Sequence, residues 1–187
     1  MKIVDILFNS ANLLGLTDDA FVLESMTEEN EMQVLTENEN IKSLYNLVQF
    51  SVRELCTNYV PMIEDVTITT TNKTYPLSSL ENYIRVQNVF ENKEMVKFKI
   101  INRNLVFDHD GEYVINYATY PTILSMFEEI GYLQNLSPDA IVFGLCAYYS
   151  LAHGMFEEFQ EFYDKYVSKA ESLKSLRNFD LPCRRWE

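Results

Sequence analysis

The spacing of apolar positions is helical near both ends of the chain and strand-like in the middle. Residues 41–59 place Ile41, Leu44, Tyr45, Val48, Val52, Leu55 and Tyr59 at intervals of three and four. That is one stripe of a helix, which Asn38 or Asn40 can cap and which must end before Pro61. Upstream, residues 2–14 predict a short helix with Ile3, Ile6 or Leu7, and Leu13 or Leu14 on one side, stopped by Gly15.

Between residues 61 and 121 the period shortens. Val66 to Thr71 is strongly β-prone, and Asn72-Lys73 turns it toward Thr74-Tyr75-Pro76, which reads as a hairpin. Residues 83–90 alternate in part, Glu91-Asn92-Lys93-Glu94 turns, and residues 96–101 alternate again with Lys97 and Lys99 on the opposite face. Asn102-Arg103-Asn104 and Asp108-His109-Asp110-Gly111 bracket a short strand, Leu105-Val106-Phe107, and residues 112–120 give the last strand before Pro121. Five or six strands joined by tight turns imply an antiparallel meander folded as a small sandwich or barrel-like sheet.

The helical period then returns. Residues 124–130 suit a short helix stopped by Gly131, and Ser137-Pro138-Asp139 supplies an N-cap, a first-turn proline and an acid at the positive end of a helix dipole. Ile141, Leu145, Tyr148 and Leu151 or Ala152 form one face, and His153-Gly154 ends that helix. Phe156, Phe159, Tyr163, Tyr166 or Val167, Ala170 and Leu173 form the face of the next, giving an antiparallel helical hairpin. The expected fold is therefore α+β: one composite domain with a helical part at 1–60 and 122–176, an antiparallel β-sandwich or barrel-like insertion at 61–121, and an extended tail at 177–187.

Composition narrows the functional classes. With 187 residues, 47% of them hydrophobic, the chain can bury a core without a metal or disulfide. A net charge of −13 argues against a protein that wraps nucleic acid, since phosphate binding needs surplus Lys and Arg. The acidic excess concentrates at Asp18, Asp19, Glu24, Glu28, Glu29, Glu31, Glu37 and Glu39, a stretch without Lys or Arg. It reads as a solvated loop or helix face, or as a surface for a basic partner. Cys56, Cys146 and Cys183 are odd in number and far apart, which indicates neither a disulfide framework nor a zinc site. No apolar run reaches the length of a membrane span, and the N-terminus lacks signal-peptide features, so synthesis in the cytoplasm is expected.

Candidate chemistry is sparse. Asp108-His109-Asp110 could offer three adjacent side chains to a divalent metal or a hydrolytic site, but Asp and Gly here also suit hairpin turns. His153 beside Gly154 fits a helix C-cap. Cys146, among small apolar neighbours, fits a buried thiol rather than a nucleophile. Glu157, Glu158, Glu161 and Asp164 fit the solvated side of a helix. No phosphate loop, GxSxG elbow or HExxH is present, so the reading assigns no catalytic residue, no metal ligand and no cofactor.

The C-terminal tail reverses the charge of the chain, with Arg177, Phe179, Leu181, Arg184, Arg185 and Trp186 as candidate partner-binding residues. Burying about 200 Å² of Trp surface yields about 5 kcal/mol, whereas fixing ten residues costs about 10, so Trp186 alone cannot order this tail. An adjoining protein could supply the remaining contacts.

The opening residues 6–15 (Ile-Leu-Phe-Asn-Ser-Ala-Asn-Leu-Leu-Gly), the helix around Tyr45 to Tyr59 and the β insertion form one part of a wider pattern. With the closing hairpin at 144–159 running on toward Arg184-Arg185-Trp186, the arrangement resembles the head-to-tail adaptor, or head-completion, proteins of tailed bacteriophages. The resemblance implies a helical bundle with an inserted β domain, in about a dozen copies forming a ring under the portal. It further implies docking of C-terminal segments on the portal protein, an adjacent tail or stopper protein as the second neighbour, and location in the virion after assembly in the host cytoplasm. It implies neither sequence-specific nucleic-acid binding nor membrane contact. A different class remains open: a cellular protein-binding module that meets a basic partner through the acidic segment or the β insertion.

Overall fold

A computed structural model describes residues 1–123, 125–128 and 137–177, the side chains beyond Leu173 excepted. The chain is α+β and divides into two compact units, residues 1–60 with 123–187, and Pro61–Thr122.

In the first unit, α1 (Ile3–Leu13) buries Ile3, Ile6, Leu7, Ser10 and Ala11. Gly15, at φ +73°, ends it in a left-handed turn. The Leu16 amide donates to Ala11 O at 2.9 Å and the Gly15 amide to Asn12 O at 3.2 Å, the paired bonds of a Schellman stop. The acidic stretch is mostly helical: α2 (Thr17–Glu24), a 3-10 turn (Glu28–Asn30) and α3 (Glu31–Glu37). Next, α4 (Glu39–Asn58) buries Ile41, Leu44, Val48, Ser51, Val52, Leu55 and Cys56 along one stripe. Asn38 precedes it but does not cap it; its side-chain amide turns back to Val34 O at 3.1 Å and serves the end of α3.

The short helix expected over 124–130 falls partly outside the described residues. Residues 125–128 within it form a turn, with the Glu128 amide on Ser125 O at 3.3 Å. Helix α5 (Pro138–Ala152) follows with Pro138 in its first turn, and it packs against α1, α4 and α6 (Phe156–Arg177). Contact on three sides buries it nearly all round, Ala140, Val142, Cys146 and Tyr149 included, which a single apolar face does not capture. Leu151, assigned to that face, is exposed, as is Phe156 of α6; Phe162 is buried in its place.

The β unit differs from the meander expected. Strands β1 (Met62–Thr69), β7 (Glu112–Thr119), β3 (Tyr83–Glu91) and β4 (Glu94–Met95) form one antiparallel sheet in the order β1-β7-β3-β4. Strands β2 (Thr74–Pro76), β6 (Asn104–Val106) and β5 (Lys99–Ile101) form a second, in the order β2-β6-β5. The anticipated hairpin of β1 with β2 is absent: β1 pairs with β7 from Met62↔Thr119 to Thr69↔Glu112, and β2 pairs with β6. Only the bridge Thr71↔Thr74 closes the Asn72-Lys73 turn, where the chain leaves one sheet for the other. The strand expected at 96–101 is likewise broken, since residues 96–98 are irregular and cross between β4 and β5.

Ile68, Val89, Ile115 and Tyr117 from the larger sheet and Leu105 from the smaller one belong to a single apolar cluster. Phe107 and Tyr113 stack within it, ring centroids 4.1 Å apart at 12°.

Candidate interaction surfaces

The expected docking residues begin where α6 ends. The backbone of Arg177 closes α6, while Phe179, Leu181, Arg184, Arg185 and Trp186 lie outside the described residues. What the structure describes is how α6 is held. Lys169 Nζ meets Asp139 Oδ2 at 3.1 Å, tying α6 to the start of α5. Glu54 of α4 accepts a hydrogen bond from the Tyr148 hydroxyl of α5. Tyr166 of α6 is fully buried beside Tyr59, Tyr148 and Tyr163, with ring centroids 6.2, 6.4 and 6.0 Å away. Among the described residues its hydroxyl makes no hydrogen bond of acceptable geometry, although it lies close enough to the Glu54 carboxylate to feel its charge. Burial first, and then the Glu54 carboxylate, raise the pKa values of Tyr148 and Tyr166 well above the ordinary phenol value, so both stay protonated.

The acidic stretch has two roles. Glu31 is half-buried and works internally, accepting from Ser125 Oγ at 2.8 Å and from the Met126 amide at 2.9 Å. Asp19 accepts from Asn40 Nδ2 at 2.9 Å. The outer face of α2 carries Asp18, Phe21 and Glu24 one turn apart, all exposed, and Phe21 retains 72% of its accessible surface.

On the β unit, residues 96–98 and 106–108 line an open groove of about 610 Å³ with Lys99. Val96 and Phe98 pack on the apolar cluster beneath, whereas Lys97, Lys99 and Asp108 are exposed at the rim. Met95, Ile100 and Ile101 stand exposed at 69%, 51% and 51% on the flanking strands. Strand β5 is an edge of its sheet, so the groove adjoins open backbone. The sequence carries no local signal for this groove, because two segments, 96–99 and 106–108, form it together.

The residues weighed for chemistry do other work. Asp110 Oδ1 accepts the Lys73 amide at 2.5 Å and fixes the crossing turn, and His109 Nε2 lies 2.8 Å from Glu91 Oε1. Among the described residues no three His, Cys, Asp or Glu side chains converge as a metal site. His153 is the C-cap of α5; its Nδ1 donates to Tyr149 O at 2.9 Å and its ring stacks on Tyr149 with centroids 4.0 Å apart. Cys146 is buried, its Sγ 3.7 Å from Ser10 O, and burial pushes the thiol up to about 12. A thiol protonated at neutral pH is a poor nucleophile. No described helix is long and apolar enough to cross a membrane. Comparison with known proteins finds no matching family model and no matching curated sequence.

Proposed function

We propose that this chain is a structural virion protein without catalytic activity, a head-to-tail adaptor forming a ring beneath the portal through which DNA passes. In this reading the β unit is a small sandwich inserted into a helical bundle, and the C-terminal tail is the docking arm. The observation that carries the proposal is the charge reversal at the end of α6. A chain of net charge −13 runs through Arg177 into a segment with Arg184, Arg185 and Trp186, residue types that anchor interfaces. The cross-ties that hold α6 to α4 and α5 would give such an arm a firm base. A ring multiplies individually modest contacts, so tails too weak to bind singly can hold a portal together.

The open groove of the β unit favours a second reading, a cellular protein-binding module. Mass by light scattering together with capture on immobilised portal protein separates the two. The adaptor reading expects portal binding that is lost on removing residues 178–187, with the thermal midpoint nearly unchanged. A truncated protein that still binds portal, or one that unfolds, rejects the docking role of the tail.

A further inference from the structure

We propose that the groove of the β unit receives the Asp18-Phe21-Glu24 face of α2 from a second copy of this chain. The contact is head-to-tail, joining two different faces. The inference deepens the ring reading and rests on it, naming the two surfaces that neighbouring copies would present.

The argument starts from what each surface lacks. Phe21 is the outward residue of α2, whose inner residues Ala20 and Leu23 are buried, so folding of the subunit leaves the ring in water. Met95, Ile100 and Ile101 have the same difficulty, exposed in the chain on either side of the groove-lining residues 96–99. Large exposed apolar side chains grouped at an open groove mark contact sites. A groove of about 610 Å³ has room for a phenylalanine ring and the helix turn that carries it.

Charge selects the partner. On α2, Asp18 and Glu24 stand three residues before and after Phe21. At the groove, Lys97 and Lys99 stand two residues apart on the same rim, with Asp108 as the single acid, so the rim is net positive. Among the described residues no ion pair or side-chain hydrogen bond engages either lysine. In a protein of net charge −13, two copies repel each other overall, and the basic rim is a place where an acidic face can land. Because the two faces differ, a contact that uses one of each leaves each copy with one of each free, and its repetition produces a ring or an open chain. One ring and two ion pairs cover far less than the roughly 800 Å² per partner of a stable complex. The contact is therefore weak between two free copies and gains strength where a portal holds many side by side.

Two charge-reversed variants test it in the full-length chain: Lys97→Glu with Lys99→Glu, and Asp18→Lys with Glu24→Lys. Sedimentation of the wild type up to its solubility limit should show mass rising with concentration. Each variant should remain a monomer, and an equal mixture, in which every junction between unlike variants is again complementary, should recover a mass that rises with concentration. Phe21→Ser, an exposed change that leaves the helix intact, should lose association as well. Zero-length carboxylate-to-amine crosslinking of mixed isotopically light and heavy wild-type chains should join Lys97 or Lys99 of one to Asp18 or Glu24 of the other. A wild type that stays monomeric without such crosslinks overturns the self-contact, as does a variant that associates like the wild type or a mixture that recovers nothing. Capture on portal protein reads the adaptor proposal separately: variants that fail to pair yet keep portal binding support both, and intact self-association without portal binding rejects only the adaptor reading.

Discussion

Gly144 of α5 makes room for the ring of Tyr166 on α6: a Cβ built on Gly144 would stand 3.1 Å from both Cδ2 and Cε2. Ser51 Oγ of α4 lies 3.5 Å from the same point, so three helices meet there with little slack. Gly144→Ala gains about 1 kcal/mol of helix propensity. It also presses on a fully buried ring that must give by a few tenths of an ångström, an overpacking cost of about 1–3 kcal/mol. A net loss of up to about 2 kcal/mol is expected in urea unfolding. A higher midpoint would mean that the ring yields.

Two tyrosines beside Glu54 should respond differently to loss of the hydroxyl. Tyr148 donates to the carboxylate, so Tyr148→Phe should cost about 1.5–3 kcal/mol, the range for a hydrogen bond to a charged group. Tyr166→Phe removes a buried hydroxyl that makes no hydrogen bond of acceptable geometry among the described residues, and should be neutral or stabilising. Equal losses in a denaturant series would contradict this ordering.

Three turns of the β unit place a basic residue at positive φ after an asparagine: Lys73 at 58°, Lys93 at 71° and Arg103 at 62°. Two-residue hairpin turns of this hand favour glycine at the second position, because a Cβ there meets the following carbonyl. Lys93→Gly and Arg103→Gly lie in such hairpins, β3–β4 and β5–β6, and should each stabilise by up to about 1 kcal/mol. Lys73→Gly leaves its backbone amide, and so the bond to Asp110, in place and should gain a comparable amount from the same relief. Lower thermal midpoints for the first two would show that the lysine and arginine stems make contacts worth more than the relief.

Those turns were legible in the sequence because asparagine punctuates a β-prone run locally, and so were the helix stops at Gly15 and Gly154, both at φ +73°. The stripe of α4 was legible as well, since half of the helix faces water. Strand partners were not. Alternation tells which side of a strand is buried but carries nothing about whether β1 meets β2, next in sequence, or β7, some 50 residues on. Helix α5 lost its face for the opposite reason, burial on nearly every side. Nothing local marks Glu31, within an acidic run, or Glu54, on a helix, because their partners, Ser125 and Met126 for one and Tyr148 for the other, come from distant segments.

Tyr117 gives the β unit a dependence on alkaline pH. Its hydroxyl donates to Glu64 Oε2 at 3.2 Å, and burial first, then the charge of Glu64 and that hydrogen bond, push its pKa to about 12. In the unfolded chain the phenol ionises near its ordinary value of about 10. Between these values the unfolded state binds fewer protons than the native state, so unfolding becomes easier as pH rises. The contribution is complete below pH about 10, falls through the window up to about 12, and is absent above it. Tyr148 and Tyr166 shift in the same direction, so the test is a difference measurement. Tyr117→Phe should lower stability at neutral pH by about 1–3 kcal/mol through loss of a hydrogen bond to a charged group. It should also flatten the decline between pH about 10 and 12 relative to the wild type. Parallel decline of the two proteins in urea titrations across that window would mean that Tyr117 ionises in the fold as it does in the free chain.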